Sequence, residues 1–397
     1  MMKQISLGSV YISAKTKQYV MQVLQTKRLS YGPFSQRFEK KFSQLHDCQY
    51  GLICSSGTAA LHTILAALKI RHQWKEGDEI LVPAITFVAT VNVVLQIGLV
   101  PILVDVEPHS FTINSELLVD KITKKTRAII PVHPFGKPAA MKEITEIALQ
   151  HKLVIIEDCC EALAASVHGK KVGSWGVAGA FSTYSAHLLA TGVGGVITTN
   201  DGQLNDLMRS LINHGRSTNY ISIDDDDVVS SSQLSTLVQS RFRFNHVGFS
   251  YRLSEFEAAV GVSQLEALNQ ILKKRQKNTQ FLLAALSDLH NCLQLPQQEK
   301  DQASTLLAFP VVLTKQALAN RSWQLNNFML HLESNGIETR QLLPILGQPA
   351  YRELKFEQDT LPVAMHCNSA GCYFGIHQAL SLADLKYVSN IIHNFFT

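Results

Sequence analysis

Several familiar signatures are missing from this 397-residue sequence. Its seven cysteines, at 48, 54, 159, 160, 292, 367 and 372, never form a C-x-x-C pair, which argues against a zinc ribbon or knuckle. Their odd number offers no even disulfide framework, so buried or free thiols in a reducing cytoplasm are expected. Charged residues make up only 17%, and the net charge of +4 comes from 36 Lys and Arg against 32 Asp and Glu without any long basic run. No phosphate-backbone footprint results, and nucleic acid is excluded as the natural partner class. The opening Met1-Met2-Lys3-Gln4-Ile5 lacks the apolar core of a secretory signal, and no internal repeat is present. The uncharged stretch 80–104 is long enough for a membrane span, but Pro83, Thr86, Asn92, Gln96, Gly98 and Pro101 interrupt it. Those breaks fit a buried strand, a helix and a second strand, and no membrane association is expected.

What is present is the composition of a globular chain, with 46% hydrophobic residues and enough length for two domains. Apolar runs at 51–54, 80–82, 102–104, 128–132, 153–156 and 195–198 alternate with helical patterns. That alternation predicts an α/β fold, a mostly parallel sheet covered on both faces in three α/β/α layers. A helix over 203–212 should stop at Asn213-His214-Gly215. The acidic and serine-rich stretch 224–240 reads as a solvated surface insertion. Ser254-Glu255-Phe256-Glu257 has the spacing of a capping box and opens a long helix towards Lys277. We therefore divide the chain into a large domain, 1–253, and a linking helix with a small α+β domain, 254–397. In the latter, 306–313 reads as a strand, with helices at 323–336 and 382–396.

Three segments carry chemistry. Cys54-Ser55-Ser56-Gly57-Thr58-Ala59 lies where a strand hands over to a helix, so free N–H groups and small side chains can approach a phosphate. The strand 153–156 runs into Glu157 and Asp158 at what should be the carboxyl edge of the sheet, where α/β proteins place ligand groups; a helix cap or a salt bridge is the structural alternative. His187 follows Phe181-Ser182-Thr183-Tyr184-Ser185-Ala186 and precedes Thr191-Gly192-Val193-Gly194-Gly195. An imidazole there can accept and return a proton near neutral pH, but it has no primary amine.

The segment from Phe181 to Gly195 resembles the cofactor-lysine region of the DegT-type nucleotide-sugar aminotransferases, fold-type I enzymes of pyridoxal 5'-phosphate (PLP), with His187 in the place of the lysine. The resemblance implies an aspartate aminotransferase-like fold with a smaller C-terminal domain. It implies PLP or pyridoxamine 5'-phosphate (PMP) as cofactor, with Ser56, Gly57, Thr58 and Ser182 at the phosphate, Asp158 at the pyridine nitrogen and Phe87 stacked on the ring. Core packing is the other reading of Phe87. Glu161 stands where the family carries glutamine near the cofactor's phenolic oxygen. Ser250, in Val247-Gly248-Phe249-Ser250-Tyr251-Arg252, replaces an asparagine that reaches the neighbouring subunit's phosphate, so a homodimer with shared active sites is implied. Tyr31, His133, Arg252 and Arg340 match family positions near the substrate. The matching segments run from about residue 28 to 340, in family order.

The family branch with histidine in place of the lysine consists of sugar 3-dehydratases, which use PMP. The resemblance thus implies a 4-keto-6-deoxy-sugar 3-dehydratase in deoxysugar and polysaccharide precursor synthesis, with His187 as base. Its substrate would be a nucleotide-linked 4-keto sugar, and its amino donor one such as glutamate. The scattered cysteines offer no iron-sulfur ligand set, so the cluster-free type is expected, with no metal. Two other readings stand beside it: an aminotransferase that uses another amine, with Lys137, Lys170 and Lys171 nearest, and a binding or regulatory protein that has lost the chemistry.

Overall fold

The computed structural model describes residues 4–217, 230, 238, 242–297, 301–354 and 356–397. Most of the expected insertion, including the acidic run 224–227, lies outside them. The large sheet has seven strands, β1 (Tyr50–Cys54), β2 (Glu79–Pro83), β3 (Val100–Val104), β4 (Thr126–Ile129), β5 (Val154–Asp158), β8 (Ala178–Ser182) and β9 (Gly195–Thr199). Their spatial order is β1-β9-β8-β5-β4-β2-β3. Pairings from β8 through β3 are parallel, whereas β9 runs antiparallel to both β1 and β8. Strand β8 is absent from the sequence reading, since Ala178-Gly179-Ala180 offers no bulky apolar run to mark it. The uncharged stretch 80–104 folds as β2, the helix α4 (Val88–Gln96) and β3. Among the described residues no helix is long and apolar enough to cross a membrane.

Helices α1 (Ala14–Thr26) and α2 (Pro33–Leu45) precede the sheet, α3 (Gly57–His72) and α5 (Met141–His151) connect its strands, and α6 (Gly202–Ile212) follows its last strand, β9. The glycine stop after α6 forms as expected, with Gly215 at φ 78 and its N–H on Ser210 O. Two small strands, β6 (Ser166–Val167) and β7 (Lys170–Lys171), pair with β11 (Gln302–Ala303). The C-terminal part is an antiparallel sheet of β10 (Leu293–Gln294), β12 (Ala308–Leu313), β14 (Gly371–Gly375) and β13 (Thr339–Gln341). Helices α8 (Leu325–Ser334), α9 (Pro362–Ala370) and α10 (Leu382–Phe395) accompany it.

The division at 253/254 falls one residue before the long helix α7 (Glu255–Ala285), but the two parts interlock around it. Ile5 bridges to Ile337, so the first described residues lie on the C-terminal part, and β11 returns to pair with β6. One buried cluster holds Ile64, Ile80 and Val82 together with Phe309, Phe328 and Phe374, so the core runs across the division.

The expected capping box at α7 is corrected in one detail. Ser254 caps Phe256 N–H, and its hydroxyl and the Glu257 carboxylate bond side chain to side chain, without the reciprocal backbone bond. Glu255 has the larger role. Its buried carboxylate accepts from the N–H groups of Gly32, Phe34 and Ser35 and from Ser35 Oγ, so it caps α2, whose own N-cap, Gly32, has no side chain to do so. One negative charge thereby serves the first turns of two helices. Glu255→Ala should lower unfolding stability by roughly 2–4 kcal/mol, because buried N–H donors are left unpaired. A urea denaturation midpoint unchanged from wild type would contradict this role.

Candidate active site

The carboxyl edge of the large sheet gathers the segments singled out from sequence. Antiparallel β9 sets Gly195 opposite both Cys54 and Ser182, and β8 in turn pairs Ala180 with Asp158. The turn after β1, Ser182 and the end of β5 therefore form one row. At this junction neither glycine has room for a side chain: a Cβ on Gly57 would lie 2.7 Å from Cys160 Sγ and 2.9 Å from Ser182 Cβ, and one on Gly195 would lie 2.3 Å from the Ser56 carbonyl O. Ser56 caps α3 by accepting from Ala59 N–H at 3.0 Å, and the exposed Thr58 opens its first turn. The N–H groups of Gly57 and Thr58 have no acceptor among the described residues, as expected of the first two helical positions. With Ser182 Oγ beside them, they suit a phosphate at a helix N-terminus.

Asp158 is buried and accepts from Thr90 Oγ1 at 2.8 Å and from Cys160 N–H at 3.2 Å. Among the described residues it makes neither a helix cap nor a salt bridge. Thr90 is held by Thr86 one turn earlier, at 2.7 Å. The i, i+4 spacing of these threonines was the available sequence signal for a residue the sequence reading missed. Phe87, the N-cap of α4, is 60% exposed, so core packing does not explain it and its face is open to a ligand. Glu161 is the next carboxylate, with Oε2 accepting from Phe135 N–H at 2.6 Å, and burial together with Asp158 pushes it up to about 7.

His187 is half-buried, and its Nδ1 is fully buried without a hydrogen-bond partner. Burial, with a smaller contribution from Arg275, pulls the imidazole down to about 4 against a weaker opposing pull from the Cys160 backbone. Arg275, on α7, is itself fully buried and held by Gln378 Oε1 and the Leu307 carbonyl. Its Nη2 has no partner, and burial pulls it down to about 10. No local pattern in α7 distinguishes it from the solvated Lys273 and Lys274 beside it.

Other expected residues lie elsewhere. His133 is turned inward: Nδ1 accepts from Ala139 N–H, so Nε2 carries the proton and faces Glu157 Oε2 at 3.3 Å. Both its nitrogens are occupied and it has no exposed surface in the free protein. His133, Glu157 and Cys159 bring ligand atoms within 4.8 Å of one another, the one such group among the described residues. Glu157 is already filled by Gly173, Trp175 and Gly176 N–H groups, and the group does not suit a metal. Tyr31 donates to Glu39 Oε2 at 2.7 Å and lines a groove of about 450 Å³ with Glu39, Tyr50 and Arg209. Arg252 donates to Ser250 Oγ and Asn213 Oδ1 beside the end of α6, and neither Ser250 nor Arg252 bonds to the junction. Arg340 is exposed, paired with Glu338 at 2.6 Å and in register with Tyr373. Of the rival amines, Lys137 donates to His109 O, Lys171 donates to Ala164 O, and Lys170 lies over the Trp175 ring.

The imidazole gives a direct pH expectation. Between pH 6.5 and about 4 the unfolded chain takes up a proton that folded His187 refuses, so its contribution to stability is lost as pH falls through that window. Nitrogen-15 NMR of the free protein should find the ring still neutral at pH 5.5, identified by the signal missing in His187→Asn. A midpoint near 6.5 would show that burial does not control this group.

Residues 10–393 match the DegT/DnrJ/EryC1/StrS aminotransferase family. A GDP-perosamine synthase of Caulobacter vibrioides is 32% identical over 97% of this chain and 96% of its own length. A GDP-4-keto-6-deoxy-D-mannose 3-dehydratase of Escherichia coli O55:H7 is 27% identical over 94% of this chain and 95% of its own. The solved E. coli GDP-4-keto-6-deoxy-D-mannose-3-dehydratase, with bound hydrated PLP, superimposes with a TM-score of 0.87 at 25% identity, covering 99% of this chain and 100% of that one. Sequence motifs, sheet order and these likenesses agree: the chain belongs to the DegT/DnrJ/EryC1/StrS aminotransferase family.

Proposed function

We propose that this chain is a nucleotide-sugar 3-dehydratase that uses PLP and PMP and acts on a nucleotide-linked 4-keto-6-deoxy sugar. The observation that carries the reading is His187: a neutral imidazole with an unpartnered buried nitrogen stands where the family resemblance expects an amine. PMP, when bound, supplies a primary amine for the keto carbon and a ring that takes up electron density. The Gly57 and Thr58 N–H groups, with Ser56 and Ser182, would hold the phosphate, the Asp158 carboxylate would pair with the ring nitrogen, and Phe87 would cover a ring face. His187 would hold or move the proton at the cofactor's methylene carbon, the proton whose removal the loss of the neighbouring 3-hydroxyl requires. Its neutral form in the free protein leaves it able to accept that proton. An amino donor such as glutamate would be needed to restore PMP.

We also read the protein as a cytoplasmic homodimer. All seven cysteines are free, which fits a reducing compartment. The strap bearing Ser250 and Arg252 exposes Phe244 and Val247, the latter at 95%, as expected where a second subunit packs. Tyr31, Arg252 and Arg340 are the candidates for contacts to the sugar nucleotide.

An aminotransferase is the second reading, favoured by the higher identity to the perosamine synthase. Identity over the whole chain reports mainly the shared fold, whereas covalent attachment of PLP requires an amine at one position. The deciding experiment incubates the protein with PLP, glutamate and GDP-4-keto-6-deoxymannose. Ammonia and a 3-deoxy-4-keto sugar are expected, with turnover reduced roughly 10²–10⁴-fold in His187→Asn. A 4-amino sugar product, or PLP fixed to a lysine by borohydride, would establish the aminotransferase; cofactor binding with no turnover of this or related sugars favours a regulatory protein.

A further inference from the structure

Three carboxylates crowd the end of β5 and the turn after it, and the donors that face them differ. Glu157 accepts from three backbone N–H groups and from His133 Nε2, so all its near donors are its own. Asp158 accepts from a hydroxyl and an N–H. Glu161 receives one donor, the Phe135 N–H, on Oε2, and forms no ion pair among the described residues. Phe135 holds φ 54 in the turn Pro134–Gly136, a left-handed conformation unusual for a non-glycine residue, and its N–H points at Glu161 in that conformation. The titratable groups around Glu161 are Asp158 and the Cys160 thiol in its own turn and the Tyr373 phenol from β14; none is a cation, and Glu161 makes the thiol and the phenol harder to ionise. Arg340, the nearest arginine in register with Tyr373, is committed to Glu338.

A half-buried carboxyl with one donor, a like-charged neighbour and no counter-ion among the described residues is driven towards its protonated form. We propose that Glu161 is a protonated carboxylic acid in the working enzyme and donates a hydrogen bond to the phenolic oxygen of bound PLP or PMP. Oε2 accepts from Phe135, which leaves Oε1 to carry the proton. The residue then does the work of a carboxamide while its donor is available, and becomes a second anion facing the cofactor's oxygen once the proton is lost. Its placement near 7 makes that loss fall in the neutral range. The inference rests on the cofactor-site reading above, but not on the choice between dehydration and amination.

The test compares wild type with Glu161→Gln. In cofactor-free protein, the infrared difference between the two should show a protonated carboxyl carbonyl at pH 6 that fades with a midpoint near 7. Carbon-13 NMR of labelled glutamate carboxyls in wild type reads the same titration without relying on the variant's folding. From pH 6 to pH 8.5, PLP affinity measured by equilibrium dialysis should fall about tenfold more in wild type than in the glutamine variant, the loss of one charge-sensitive hydrogen bond. If the carboxyl is already ionised at pH 6, or if both proteins lose affinity in parallel, the inference is overturned and the cofactor site stands. If neither protein binds PLP, the cofactor-site reading falls and this inference with it.

Discussion

The close packing at Gly57, against Cys160 and Ser182, and at Gly195, against the Ser56 backbone, is the constraint on which the site depends. Antiparallel β9 lies between β1 and β8, and its first residue is opposite the last residue of each. Only hydrogen fits at either glycine, because the nearest atoms would lie within 3 Å of an added Cβ. The result is a helix N-terminus with unpaired N–H groups, flanked by Ser182 and by Cys160 from the turn after β5. A side chain at either glycine would separate the strand ends and break the row that joins the turn after β1 to Asp158.

Charge at this edge is governed by the supply of donors. Glu157, Asp158 and Glu161 are separated by one and three positions in sequence, yet each meets a different environment. Glu157 ties together the Gly173, Trp175 and Gly176 turn and is structural. Asp158 is fixed by Thr90 of α4, itself held by Thr86 just before the helix, which links the aspartate to the helix that Phe87 caps. Glu161 lacks such support and is pushed towards its neutral form. His187, also short of partners, is pushed the same way, and the buried Arg275 adds to the effect. Both groups are pushed towards their neutral forms for the same reason: desolvation without compensation costs the charged form more than the neutral one.

Periodicity and punctuation made much of the fold legible. Proline and glycine divided 80–104 into strand, helix and strand, and the structure has those three elements there. Strand β8 was not legible, because glycine and alanine leave no hydrophobic pattern and its place comes from pairing with β5 and β9. Among site residues, the expected segment positions of Ser56, Gly57, Ser182 and Asp158 converge in the structure. His133 looked equivalent on the same grounds, since it also follows a strand at the same edge. Its rotation inward depends on Ala139 N–H and Glu157, contacts invisible in a linear pattern.

By itself, the sequence determined what bonds are open to position 187: an imidazole can carry a proton, whereas an amine makes an imine. It also determined the order of strands and helices along the chain, through local spacing of apolar residues. Tertiary structure alone decided which of several similar acids and histidines face the site, and in which protonation state. Those outcomes depend on the count of donors and the degree of burial around each group, quantities that arise only when distant segments such as β5, α4, α7 and β14 are packed together.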